Sequence, residues 1–184
     1  MQPKSYNPSS NLLLTIGQTI LLYASFILFF LLSLVEVRYP LLGSVQIYFY
    51  LMILFYWGLN RPASLPLLVS FLFGLAVDFI EAGPIGLNAL LFMGLQWLVV
   101  DQRKFLRVQS FPVVWLGLTS LLAGYVFLKT AFFSLYYWDM QFSVHLWYSA
   151  LISAIIFPVV NIVLNAIHRI VSYQPVRSSF RLGD

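Results

Sequence analysis

The stretch that decides the fold runs from Trp57 to Leu90 and reads WGLNRPASLPLLVSFLFGLAVDFIEAGPIGLNAL. It contains two apolar segments that meet at a Gly-Pro turn, and the first segment carries a carboxylate, Asp78. A charged side chain at the centre of a bilayer costs about 2.5–3.5 kcal/mol, and the cost falls toward the interface. If these segments lie in lipid, Asp78 requires a specific partner there.

The composition of the whole chain is that of a membrane protein. The 184 residues are 61% hydrophobic and 9% charged, and the mean hydropathy is +0.89. Soluble domains contain about 25% charged residues, and a soluble fold of this length could not bury so much apolar surface. Because helices satisfy their backbone hydrogen bonds internally, the sequence predicts an all-α integral membrane protein. The absence of cysteine excludes disulfides and thiolate metal sites.

Six apolar segments predict a compact bundle of about six transmembrane helices in one domain, residues 12–171. The predicted spans are residues 12–35, 41–59, 65–80, 84–100, 111–137 and 142–171. Short polar links are predicted at 36–40, 60–62, 101–107 and 138–141, and polar tails at 1–11 and 172–184. The third and fourth spans are short, at roughly 24–26 Å of helix, and the sixth is long enough to tilt or to bend at Pro158.

The distribution of basic residues predicts that both tails lie in the cytoplasm. With the N-terminus inside, the outer links contain Arg38 as their one basic residue. The inner segments contain Lys4, Arg61, Arg103, Lys104, Arg107, Arg169, Arg177 and Arg181. Short cytoplasmic loops are enriched in Lys and Arg, which explains the net charge of +4 without nucleic-acid binding. No basic stripe of the size that nucleic acid requires is present.

Lys129 is a second charged residue inside a predicted span. Counted from the inner face, Asp78 and Lys129 lie roughly 25 and 27 Å along their helices, near the outer interface. We predict that they form an ion pair, because two opposite charges buried together offset part of each other's desolvation. In the alternative, Asp78 caps the turn, and Lys129 extends toward the headgroups or binds Glu81 or Glu36.

The sequence GPIG at residues 83–86 predicts a tight turn between the third and fourth spans. Gly83 permits a positive φ, and Pro84 suits the first position of a new helix. Gly86 completes the turn, and Asn88 lies about one turn into the fourth span. We therefore expect a hydrogen bond between Asn88 and Asp78 across the hairpin.

Two stripes of small residues lie on predicted helices. One is formed by Ser70, Gly74 and Asp78, and the other by Gly117, Ser120 and Gly124. Small faces let membrane helices approach each other closely. Each stripe is therefore interpreted either as packing within the bundle or as a face on which a partner's transmembrane helix docks.

Asn161 and Asn165 share a face with His168 near the inner end of the sixth span. Polar residues at such positions face the bundle interior or a partner, and a transport cavity is the alternative. No nucleophile elbow, zinc-binding helix or phosphate-binding glycine loop occurs in the sequence, so we predict that the protein is not an enzyme. The same absence predicts no metal and no cofactor.

One family shares the motifs of this stretch. Tyr56-Trp57, Arg61-Pro62, GLAVD at 74–78 and GPIGLNAL at 83–90 resemble the MreD family of rod shape-determining membrane proteins. That family shows a Gly-Leu-x-x-Asp … Pro-Leu-Gly signature in a chain of this size with five or six spans. The resemblance covers residues 56–90, and Ile85 stands where the family most often has leucine.

The resemblance implies a non-enzymatic component of the cell-elongation complex in the bacterial inner membrane. Such a component would bind MreC and act as a scaffold in lateral peptidoglycan synthesis, in a wider assembly with MreB, RodA and a class B penicillin-binding protein. The resemblance also implies a bundle similar to the substrate-binding subunits of energy-coupling-factor transporters. The alternative function is therefore a small-molecule, vitamin-type binding subunit, with a polar pocket near the outer ends of the third to sixth spans.

Overall fold

Six helices and one β-hairpin make up residues 8–39, 43–81, 83–137 and 144–171, which the computed structural model describes. The helices are α1 (Pro8–Ser33), α2 (Phe49–Asn60), α3 (Leu67–Glu81), α4 (Leu87–Leu106), α5 (Phe111–Tyr137) and α6 (Val144–Val171). The strands are β1 (Glu36–Tyr39) and β2 (Gly43–Gln46), and a 3-10 turn spans Pro62–Ser64. The structure is therefore all-helical in class, as the composition predicts, apart from the short hairpin.

The observed helix boundaries differ from the predicted ones at the N-terminal tail and at the basic link. Helix α1 begins at Pro8, so residues 8–11, which were assigned to the polar tail, are helical. Helix α4 continues to Leu106 through most of the predicted basic link at 101–107. The Gln, Arg and Lys residues of this segment are good helix formers, so hydropathy alone ends the helix too early. The predicted turn at 138–141 and the tail at 172–184 lie outside the described residues.

Residues 41–59 do not form one span, and this prediction was wrong. Strands β1 and β2 pair antiparallel, with Glu36 opposite Gln46, and helix α2 begins only at Phe49. The backbone N–H groups of Gln46 and Tyr48 donate to the hydroxyls of Ser149 and Ser153 on α6, at 3.1 and 2.9 Å. These two amides lie outside any helix and find side-chain acceptors on α6, so the segment before α2 can remain extended.

Helix α2 lies at the centre of the bundle. Every residue from Tyr50 to Leu59 is buried, and a helix that is apolar all round is typical of an interior position. At about 18 Å, α2 is shorter than a hydrocarbon core of about 30 Å. It contacts α1, α4, α5 and α6, so these four helices are arranged around it.

Two described helices are long and apolar enough to cross a membrane, namely α5 over Phe111–Tyr136 and α6 over Val144–Arg169. Helices α3 and α4 form the most extensive helix pair, and successive helices reverse direction. The end at which α3 finishes and α4 begins is called the Asp78 end. The opposite end, at which α2 finishes and α5 begins, is called the Arg61 end. Six membrane crossings stay a prediction.

Helix α6 runs through Pro158 without interruption. Proline has no backbone N–H, so the carbonyl of Ala154, four residues earlier, loses its helical donor. The indole Nε1 of Trp115 on α5 donates to this carbonyl at 2.7 Å. The side chain of one helix thus replaces the backbone hydrogen bond that the proline removes from the other, in a setting where an unpaired carbonyl is costly.

Candidate functional site

Asp78 caps the N-terminus of helix α4. Its carboxylate accepts hydrogen bonds from the backbone N–H groups of Gly86, Asn88 and Ala89, at 2.9, 2.9 and 3.3 Å. The first N–H groups of a helix have no partner within the helix, and they form the positive end of its dipole. Asp78 is 1% exposed, so these three donors and the dipole compensate a charge that has almost no water around it. Asp78 therefore acts as a cap, which was the alternative to an ion pair in the sequence analysis.

The turn before α4 takes its positive φ at Gly86. Gly86 is the residue before the helix and has φ 98°, a left-handed conformation that favours glycine. Helix α4 begins at Leu87 and not at Pro84, so the expectation that Pro84 takes the first helical position was wrong. The turn continues from Pro84 to the residue before the helix, and the cap fixes where the helix can start.

Lys129 forms its ion pair with Glu81, at 2.6 Å, and the predicted pair with Asp78 was wrong. The oxygens of Asp78 are already bound by backbone donors, and the helix dipole neutralises part of its charge. Glu81 lies three residues further along α3 and offers a carboxylate without such donors. Lys129 is 4% exposed, which makes a charged partner necessary for it. Glu81 was an alternative partner of Lys129 in the sequence analysis.

Asn88 connects the cap to the ion pair. Its backbone N–H binds Asp78, its side-chain amide donates to Glu81 at 3.0 Å, and its side-chain oxygen accepts from the hydroxyl of Tyr125 at 2.7 Å. The predicted Asn88–Asp78 hydrogen bond thus exists through the backbone of Asn88. The side chain serves different partners, which spacing along one helix could not reveal.

Tyr125 and Tyr50 complete the cluster and were missed in the sequence. Lys129 donates to the Tyr125 oxygen at 3.2 Å, and the Tyr50 hydroxyl lies 3.2 Å from the same oxygen. Because the hydroxyl of Tyr125 donates its hydrogen bond to Asn88, Tyr50 is the donor in the pair of tyrosine hydroxyls. Tyr125 lies four residues before Lys129 on α5. Residues at this spacing are neighbours on a helix, so the sequence could have indicated the contact between them. Helices α2, α3, α4 and α5 are therefore joined by one hydrogen-bonded cluster.

The first small stripe faces helix α4. A Cβ on Gly74 would lie 2.5 Å from the backbone of Asn88 and Ala89, so the two helix backbones touch at this position. Ser70 is fully buried one turn away, and Asp78 caps α4 one turn in the other direction. The interpretation as packing within the bundle therefore applies to Ser70 and Gly74, and this stripe is not open to a partner helix.

The residues of the second small stripe do not all face the same way. A Cβ on Gly117 would lie 3.2 Å from Leu106, so Gly117 faces the bundle interior. Ser120 is exposed, and no atom lies within 4 Å of a Cβ placed on Gly124. Ser120 and Gly124 are four residues apart on the outer face of α5, next to an apolar groove of ≈ 570 Å³ between α5 and α6. The groove reaches Leu116, one turn before Ser120.

The remaining candidate residues lie at the Arg61 end. The backbone N–H of Arg61 donates to the carbonyl of Trp57 at 2.7 Å and closes α2, and Pro62 starts the following 3-10 turn. Asn165 accepts a hydrogen bond of 2.7 Å from the hydroxyl of Tyr56. Asn161 and Asn165 both line a cavity of ≈ 360 Å³. Among the described residues, no group of three or more His, Asp or Glu side chains is arranged to hold a metal ion.

A model of the family described as rod shape-determining protein MreD matches residues 15–172. The match covers most of the chain and extends far beyond the motifs at 56–90, so the resemblance is confirmed. No curated protein and no solved structure matches the chain. The expected likeness to the substrate-binding subunits of energy-coupling-factor transporters therefore stays a prediction.

Proposed function

The chain belongs to the MreD family of rod shape-determining proteins, and we propose that it acts in the cell-elongation complex by docking the transmembrane helix of MreC. Membership of the family makes it a membrane protein with a structural role in rod shape. The match over residues 15–172 is the observation that carries the proposal. Through MreC, the chain helps to organise lateral peptidoglycan synthesis with MreB, RodA and a class B penicillin-binding protein, and it catalyses no reaction itself.

The docking face that we propose is the outer side of α5 around Ser120 and Gly124. These residues form a small-xxx-small pair, which lets the backbone of a second helix come close. Leu116 and Phe127 flank the pair and are 62% and 63% exposed, so they can pack on both sides of a partner helix. The apolar groove between α5 and α6 borders this face and has room for large side chains of the partner.

The orientation that we propose places the Arg61 end in the cytoplasm of a bacterium and the protein in its inner membrane. The described basic residues of the Arg61 end are Arg61, Arg103, Lys104, Arg107 and Arg169. The Asp78 end has Arg38 in β1 and the ion-paired Lys129. This bias over short connections supports cytoplasmic tails at both ends of the chain.

The docking proposal is tested by co-purification of full-length MreC with the Gly124→Leu variant after co-expression. A leucine at Gly124 meets no atom of its own chain at its Cβ but fills the space that a partner backbone would need. We expect the recovered MreC to fall at least about tenfold, because a lost helix–helix contact of about 1.4 kcal/mol or more changes binding by that factor. The amount of folded Gly124→Leu protein should stay at the wild-type level.

Gly94→Leu provides the matched control. Gly94 lies on α4, is exposed, and has no atom within 4 Å of a Cβ added to it, so the substitution places the same side chain on a different outer face. MreC recovery with Gly94→Leu should equal the wild-type value. Equal recovery from both variants, or equal loss from both, would refute the assignment of the face to Ser120 and Gly124.

A small-molecule binding subunit is the alternative function, and it requires a polar pocket near the Asp78 end. At that end, Asp78 binds backbone N–H groups, and the side chains of Asn88 and Lys129 bind Glu81. These four residues are therefore engaged within the chain and not with a ligand. No described contact favours the alternative. A vitamin-type ligand retained by the purified chain, with a higher melting temperature when it is supplied, would favour it over docking.

A further inference from the structure

A polar cavity of ≈ 360 Å³ opens at the Arg61 end between α2, α5, α6 and the link from α4 to α5. The polar residues that line it are Tyr56, Asn60, Arg107, Gln109, Asn161 and Asn165. Apolar residues, including Phe55, Leu59 and Phe157, form the rest of the wall. The cavity therefore offers polar groups and an apolar surface to the same ligand.

Hydrogen-bond donors are in excess in this cavity. The oxygen of Asn165 already accepts from Tyr56, so the amide NH₂ is the group that Asn165 has left to offer. Arg107 has donors only, and its side chain forms no hydrogen bond or ion pair within the part of the chain that the structure describes. An excess of donors around a guanidinium group favours an anion that accepts several hydrogen bonds.

Helix α5 adds a further positive element. Gln109, Phe111 and Val114 line the cavity, so the N-terminus of a helix of 27 residues lies at its edge. Pro112 has no N–H, and the N–H groups of Val113 and Val114 donate to the carbonyl of Ser110, so this terminus acts through its dipole, which favours negative charge. The cavity, the guanidinium group and the helix terminus are three separate features that favour the same kind of ligand.

The charge around the cavity has the same sign. Among the described residues of the Arg61 end, Asp101 is the acidic side chain, and the basic side chains are Arg61, Arg103, Lys104, Arg107 and Arg169. Basic residues at the ends of membrane helices attract anionic lipids, and basic pockets between such helices bind their headgroups. The position at the helix ends corresponds to the headgroup level of a bilayer.

We propose that this cavity binds the phosphate group of an anionic glycerophospholipid. Arg107 and the amide groups of Asn161 and Asn165 bind the phosphate oxygens, and the apolar wall packs against the glycerol and the first methylene groups. This site is separate from the docking face on α5, and the proposal does not depend on MreC. A free phosphate ion shares the charged chemistry but would leave the apolar wall unused.

The test measures the melting temperature of the purified full-length chain in detergent with three additives. Phosphatidylglycerol should raise it, whereas phosphatidylcholine and inorganic phosphate should not. Arg107→Gln and, separately, Asn161→Leu should lower the apparent affinity for phosphatidylglycerol about tenfold, since each removes a contact to a charged group. Native mass spectrometry of the same samples should show one retained lipid for the wild type and none for either variant.

Lys104→Gln is the matched control, because it removes one positive charge from an exposed residue of the same end that does not line the cavity. It should change the affinity less than about twofold. Equal losses in Lys104→Gln and Arg107→Gln would overturn the site, because they would indicate general charge attraction. Equal stabilisation by phosphatidylcholine, or full stabilisation by inorganic phosphate, would overturn the assignment to an anionic lipid.

Discussion

The two ends of the bundle use polar residues in opposite ways. At the Asp78 end, two carboxylates, an ammonium group and an asparagine amide are all bound to partners within the chain. At the Arg61 end, Arg107, Gln109 and Asn161 line an open cavity, and their side chains form no hydrogen bond within the described residues. Polar groups that satisfy one another hold a fold together, whereas polar groups left open in a cavity are available to a ligand.

The largest effect is expected from Asp78→Ala. The substitution leaves the backbone N–H groups of Gly86, Asn88 and Ala89 without their acceptor, so the free energy of unfolding should fall by about 3–5 kcal/mol. Chemical denaturation in detergent measures it. Asp101→Ala, which removes an exposed carboxylate, should change stability by less than about 0.5 kcal/mol. A similar small change in both variants would show that Asp78 does not act as the cap.

The next effect concerns the partner of Lys129. Lys129→Met leaves Glu81 without its ammonium group and should destabilise by about 2 kcal/mol, a value reduced because the Glu81 side chain is 22% exposed. Adding Glu81→Gln should restore more than half of the loss, since the unpaired charge is removed. Adding Asp78→Asn should restore nothing. Recovery with Asp78→Asn in place of Glu81→Gln would assign the ion pair to the other carboxylate.

A smaller effect is expected where Trp115 replaces the hydrogen bond lost at Pro158. Trp115→Phe keeps most of the ring but leaves the carbonyl of Ala154 unpaired, at a cost of about 1–2 kcal/mol. In a Pro158→Ala background the backbone N–H returns to that carbonyl, so Trp115→Phe should cost less than about half as much. The unfolding free energies of the four proteins in this cycle give the coupling. If the two substitutions lower the free energy of unfolding additively, the Trp115 indole does not replace the hydrogen bond that Pro158 removes.

The smallest effect on stability is expected at the Arg61 end. Arg107→Gln and Asn161→Leu remove groups that bind no described residue, so each should change the free energy of unfolding by less than about 0.5 kcal/mol in detergent without added lipid. The measurement is the same denaturation curve that is used for Asp78→Ala. A loss above about 2 kcal/mol in either variant would mean that the two ends have the same structural role.

The apolar helices and the importance of Asp78 could be predicted from the sequence, because hydropathy and the cost of a buried charge are local properties. The start of α5 at Phe111 was also predicted from hydropathy. The hairpin before α2 could not be predicted from nearby residues. The backbone N–H groups that keep it extended donate hydrogen bonds to Ser149 and Ser153, which lie about a hundred residues further along the chain. Its stability comes from tertiary contacts that local sequence does not contain.

The candidate site was predicted in part for a similar reason. Counting residues along a helix gives the depth of Lys129 but not the direction in which it points, so spacing alone could not choose between Asp78 and Glu81. The same limit applies to Gly74 and Gly124, which look alike as small residues in a stripe. Only the packing reveals that Gly74 touches the backbone of α4 and that Gly124 faces open space.

The most direct test of the difference between the two ends is the rise in melting temperature that phosphatidylglycerol produces in two variants. The Glu81→Gln/Lys129→Met double variant, altered at the Asp78 end, should melt lower than the wild type and keep the full rise. Arg107→Gln, altered at the Arg61 end, should melt like the wild type without lipid and lose the rise. A rise that is lost in the double variant and kept in Arg107→Gln would contradict the account.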